Sequence, residues 1–212
     1  MDLHRTDNVL LAGLALAQLS VAIRVSAHRT SVPVLSGYLW IALVGFVPWV
    51  LDSGASRSLP WNLFLSGAKI LVALEAFHLT LLRVSRPSRF QRSIPLAAIT
   101  LAVLALSAAS PPPYPNFPPV AGFVRVLGHL LAFAVSIAAL VFALLRSSGS
   151  FPLAHSGLLS VYFLTMVLAW RVSPSQWFPA HITLLSIHLL CMICWFRILS
   201  RRVIIVPDGG SV

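Results

Sequence analysis

The stretch KILVALEAFH, residues 69–78, places a lysine, a glutamate and a histidine inside a run that is otherwise lipid-soluble. It reads as the middle of a membrane-crossing helix because the surrounding apolar run, about 60–84, exceeds the roughly 20 residues that hydrocarbon requires. The rest of the chain reads the same way. Of its 212 residues, 58% are hydrophobic and only 9% charged, and the mean hydropathy is +0.90. Such a composition cannot be solvated as a soluble globule. Apolar segments recur at about 8–27, 32–51, 60–84, 94–110, 119–146, 153–171 and 178–199. The expected fold is therefore an all-α polytopic membrane protein with seven transmembrane helices. Residues 1–212 form a single transmembrane domain, since no segment between the spans is long enough for a separate soluble one. The fourth segment, IPLAAITLAVLALSAAS, is the shortest, bounded by Arg92 on one side and a proline cluster on the other. The first is expected to be retained rather than cleaved, because Asp2 and Asp7 flank Arg5 where a signal peptide would be purely basic.

The formal net charge of +10 would suggest nucleic acid in a soluble chain, but here the arginines lie in short loops between apolar runs. Their distribution is a topology signal. One set of loops and span ends holds Arg24, Arg29, Arg83, Arg86, Arg89, Arg92, Arg146, Arg197, Arg201 and Arg202, while the other holds only Arg5, Arg57 and Arg171. Basic residues near span ends stay on the cytoplasmic side, so the N-terminus is expected outside and the C-terminus inside. The proline-rich SPPPYPNFPPV, residues 110–120, then forms a stiff extended connection on the outer side. The tryptophans, Trp195 among them, fall mostly near span ends, where interfacial anchoring would put them.

Polar residues within spans carry whatever chemistry the sequence offers, because a charge at the bilayer centre costs about 2.5–3.5 kcal/mol on insertion scales. Lys69 and Glu75 differ by ~120° around a helix and so need separate partners. Glu75 and His78 share one face; Lys69 shares another with Asn62, Ser66, Ala73 and Thr80. The fifth segment adds Arg125 and His129 on one face, and the seventh adds His181 and His188. A layer of Glu75, His129 and His188 between segments three, five and seven, capped outward by Lys69 and Arg125, is the expected arrangement, with Glu75 close to Arg125 or His129. Lys69, Glu75, His78, Arg125, His129 and His188 are thus the candidates for a ligand-binding site or a structural polar layer.

Catalytic and metal sets are not assembled by this sequence. There is no GxSxG, no phosphate-loop glycine motif, and no intramembrane Ser, His and Asp combination. Glu75-x-x-His78 has the spacing used in di-iron bundles, but Asp2, Asp7, Asp52 and Asp208 lie outside the apolar segments and a second Glu-x-x-His is missing. Haem held between His129 and His188 is conceivable; CMIC, residues 191–194, lacks a second ligand pair for zinc. No cofactor is expected. Cys191 and Cys194 read as small apolar filler.

The layout, with Glu75 and His78 late in the third segment, an arginine-rich loop after it and Arg125 opening the fifth, resembles short seven-helix bacterial membrane proteins of unassigned function. More distantly it is similar to the seven-helix sensor modules that precede bacterial signalling domains, although here RRVIIVPDGGSV follows the last span. The resemblance implies the bacterial inner membrane, the lipid bilayer as surroundings, and a separate signalling or membrane protein as partner. The expected function is a non-enzymatic sensor-like or assembly module. The alternatives are a small proton-coupled transporter and a haem- or metal-binding redox protein.

Overall fold

The computed structural model describes residues 3–27, 32–50, 58–81, 119–146, 150–171 and 178–200. Six α-helices account for nearly all of them: α1 (Leu3–Ser26), α2 (Pro33–Val50), α3 (Leu59–Leu81), α4 (Pro119–Arg146), α5 (Ser150–Arg171) and α6 (Phe178–Ser200). No strand occurs among the described residues. The fourth expected segment, 94–110, the arginine loop 83–92, the proline-rich 110–118, the tail 201–212 and the side chain of His181 lie outside them.

Local sequence explains where the helices begin. Pro33, Pro60, Pro119, Pro152 and Pro179 each fall in the first turn of a helix. There the missing N–H is not needed and the fixed φ suits the helix. Five helices contain stretches long and apolar enough to cross a membrane: Val9–Ser26, Leu59–Leu81, Val120–Leu145, Phe151–Leu168 and Ile182–Leu199. The protein is a polytopic membrane protein. Large apolar side chains such as Leu16, Val44, Leu71, Leu145 and Leu190 are exposed on the bundle surface, as a hydrocarbon solvent permits.

The helices pack as a ring in chain order, α1 to α6, closed by contact between α1 and α6 and crossed by contact between α3 and α5. The core runs through its middle, with Val21, Leu39, Ala73, Ala76, Val135, Leu159, Phe163 and Met192 buried. The most extensive pairing is α3 with α4. Glycine permits it: a Cβ on Gly128 would lie 2.8 Å from the backbone Cα of Ser66. Close backbone approach through small residues is the usual means of helix association in lipid. Ser66 also donates its hydroxyl across the interface to the Val124 carbonyl (3.0 Å).

These contacts give α3 and α4 the same direction. Ser66 meets Val124 and Lys69 meets His129, so advancing along one helix advances along the other. α1 and α6 also run alike, because Arg24 and Phe196, each near the C-terminal end of its helix, are in cation–π contact at 4.7 Å. Trp195 departs from the interfacial role expected of it. Its ring is 2% exposed, packed in the core and hydrogen-bonded to His155.

Candidate functional site: a split polar core

The expected face of α3 is the buried one. Asn62, Ser66, Lys69, Ala73 and Thr80 are all buried. Lys69 is 4% exposed, and its Nζ lies 2.9 Å from Nε2 of His129, itself 2% exposed. With Lys69 as an ammonium, which has protons only to give, His129 accepts at Nε2 and carries its own proton on Nδ1. That Nδ1 is buried and has no hydrogen-bonding partner. Arg125 lies within electrostatic range of Lys69, His129 and Tyr38.

Lys69, His129 and His188 each stand ten residues into their helices, about 15 Å from the helix start at 1.5 Å per residue. His188 interacts electrostatically with His129 and contacts α5 through two groups. Its Nδ1 is 3.3 Å from the Thr165 hydroxyl, and its ring packs edge-on against Tyr162 with centroids 4.2 Å apart. Thr165 gives its single proton to the Tyr162 carbonyl (2.8 Å), so His188 donates through Nδ1 and its Nε2 carries the lone pair. Tyr162 is joined to Tyr38 of α2 by a hydroxyl–hydroxyl bond of 3.0 Å. Nearer the other end, Trp195 donates its indole N–H to Nδ1 of His155 (3.2 Å), and Phe151 stacks on the same imidazole at 5.6 Å. The His155 proton therefore sits on Nε2, which is buried without a partner.

Glu75 does not join this layer. It lies six residues before the end of α3, and its two carboxylate oxygens accept from the backbone N–H groups of Val34 and Leu35, each at 2.8 Å. The expected closeness to Arg125 or His129 gives way to a cap on the start of α2, for a definite reason. Val32 stands at the position before the helix and has no side-chain acceptor, Pro33 has no N–H, and Ser36 N–H already bonds the Val32 carbonyl (3.1 Å). The N–H groups of Val34 and Leu35 remain, at a helix start where Val32 and Leu35 are each 1% exposed while Val34 and Glu75 are half-buried. A buried helix start without acceptors is costly, and a carboxylate there also meets the positive end of the helix dipole.

The six candidates thus divide. Lys69, His129 and His188 come together at one depth with Arg125 in electrostatic reach, while Glu75 serves α2, with His78 beside it on an exposed position of α3. Tyr38, His155, Tyr162, Thr165 and Trp195 belong to the polar core but were not picked out from the sequence. The visible signal was His155 itself, a polar residue inside the apolar run 153–171. Among the described residues no three His, Cys, Asp or Glu side chains converge as metal ligands. Cys191 and Cys194 are free thiols. Comparisons with protein-family models, with curated proteins and with solved structures find no match to this chain.

Proposed function

We propose that the chain is a seven-span, non-enzymatic module of the bacterial inner membrane, sensor-like or assembling with a separate signalling or membrane protein. Its N-terminus is outside and its C-terminus inside. The seventh crossing is supported by direction. α3 and α4 run parallel, so the chain leaves α3 at Leu81 and enters α4 at Pro119 at the opposite end of the bundle. Strict alternation of six spans would also make α1 and α6 antiparallel, whereas they run alike. The apolar run 94–110 has the composition to make the return. Orientation is supported by the count of ten arginines against three in alternate loops and span ends, with Arg24, Arg146 and Arg197 placed in the last turns of α1, α4 and α6.

The observation that carries the sensor-like reading is the pair of polar joints. Glu75 ties α3 to α2, and Lys69 with His129 ties α3 to α4, so a ligand or partner acting on α3 is transmitted to both neighbours. The test is a thermal-shift screen of small polar and anionic compounds against the wild type, Lys69→Met and Glu75→Gln in detergent. A compound that raises the melting temperature of wild type and Glu75→Gln but not of Lys69→Met is the expected result; uniform indifference of all three to the panel would end this reading. One observation favours a small proton-coupled transporter as the second reading: the imidazole of His129 is engaged at one nitrogen and open at the other.

A further inference from the structure

Three buried imidazoles stand in the bundle, and two of them, His129 and His155, keep a buried ring nitrogen with no hydrogen-bonding partner. His129 is bonded at Nε2 by Lys69 and has no partner at Nδ1. His155 is bonded at Nδ1 by Trp195 and has no partner at Nε2. His188 is bonded at Nδ1 by Thr165, which leaves the Nε2 lone pair. A histidine kept for packing alone would be expected to satisfy both nitrogens, because a buried unpaired polar group is costly. An imidazole held at one nitrogen and open at the other is the arrangement of a proton shuttle. Intramembrane ionisable residues facing a bundle interior mark such relays.

The groups are also spread over depth. Lys69, His129 and His188 lie ~15 Å from the ends where their helices start, and Tyr162 stands nine residues from the same end of α5, at nearly the same level. His155 lies five residues from the other end of α5, ~7.5 Å from it. Tyr162 links the two groups. It touches the His188 ring, shares a hydroxyl bond with Tyr38, and packs against Trp195 (5.5 Å between centroids), whose indole is bonded to His155. Around His129 the charged and titratable groups are Lys69 from α3, Arg125 from α4 itself and His188 from α6. None is a carboxylate, since both oxygens of Glu75 are engaged at α2.

We infer that His129 relays protons through the bundle, between Lys69 on one side and the His188, Tyr162 and His155 cluster on the other. In one passage Lys69 transfers a proton to Nε2 of His129, leaving a neutral amine and an imidazolium. The imidazolium then releases its Nδ1 proton, through water, to the lone pair on Nε2 of His188. The amine of Lys69 regains a proton from water on the outer side, and His188 delivers its proton through water towards the inner side. His129 returns to its starting tautomer when water takes the proton from Nε2 and gives one to Nδ1. One proton enters, one leaves, and no oxidant or second substrate is required. This goes beyond the sensor-like reading and does not depend on it: the thermal-shift screen can fail while the relay stands, and the reverse.

The test uses the full chain reconstituted into phosphatidylethanolamine and phosphatidylglycerol vesicles containing a pH-sensitive dye, with a potassium diffusion potential set by valinomycin. The wild type is expected to carry protons faster than protein-free vesicles, and His129→Gln, whose amide still accepts from Lys69 but cannot exchange a proton, is expected to fall to the protein-free rate. Should His129→Gln not reconstitute, His188→Gln gives the same reading. Wild-type vesicles no faster than protein-free ones under either polarity of potential would overturn the relay. So would a folded His129→Gln, or its His188→Gln substitute, conducting at the wild-type rate.

Discussion

At Glu75 a side chain from one helix completes the hydrogen bonding of another. Glu75→Ala would leave the partly buried N–H groups of Val34 and Leu35 without acceptors, at a cost of about 0.5–1.5 kcal/mol each. Glu75→Gln keeps one good acceptor and loses the favourable charge at the helix start, so its detergent melting temperature should fall between those of wild type and Glu75→Ala. The same geometry predicts how the residues couple. A double-mutant cycle of Glu75→Gln with Arg125→Gln should be additive within a few tenths of a kcal/mol, because the carboxylate is occupied elsewhere. The cycle of Lys69→Met with His129→Gln should show coupling of about 0.5–3 kcal/mol, as expected for residues in one hydrogen bond. Coupling at the first pair and none at the second would contradict the division of the polar core.

Among the elements, the α3–α4 pair depends on Gly128. A methyl group at residue 128 would run into Ser66, including its backbone, so the helices must separate or tilt. Gly128→Ala should cost about 1–3 kcal/mol in detergent unfolding, the range for overpacked cores, despite the better helix propensity of alanine. Gly67 provides the control. A Cβ there meets nothing within 4 Å, and Gly67→Ala should be neutral or stabilising. Equal effects from the two substitutions would show that α3 and α4 do not approach at Gly128. The helices were readable beforehand as apolar runs, because run length against hydrocarbon thickness is a local signal. The pairing of α3 with α4 was not, since several small residues lie along each helix and only packing selects which of them meet.

At the scale of the whole molecule, the parallel course of α3 and α4 puts Leu81 and Pro119 at opposite ends of the bundle. Single cysteines placed at 88 and at 114 should therefore be labelled by an impermeant thiol reagent from opposite faces, with 114 outside, in a Cys191→Ala and Cys194→Ala background. Labelling of both from one face would remove the crossing at 94–110. Arg89→Glu combined with Arg92→Glu should shift part of the population to the inverted orientation, because four of the ten arginines that the proposed orientation puts inside lie in 83–92. Reporter fusions after residue 88 measure the fraction.

The class of the protein, the positions of six helices and the buried face of α3 were all determined by sequence alone. Each follows from chain-local properties: run length against hydrocarbon thickness, and the 3.6-residue period that puts Asn62, Ser66, Lys69, Ala73 and Thr80 on one side. The partners of the polar residues were decided only by tertiary structure. Glu75 was sought beside Arg125 or His129 because opposite charges and imidazoles announce themselves in a sequence. The groups it meets are backbone N–H donors, which every residue but proline carries and which become strong partners only where a helix start is buried without its own cap. Lys69 found a histidine in place of a carboxylate for the matching reason: Gly128 lets α4 approach closely enough to set His129 against it, and no periodicity within either helix encodes that approach.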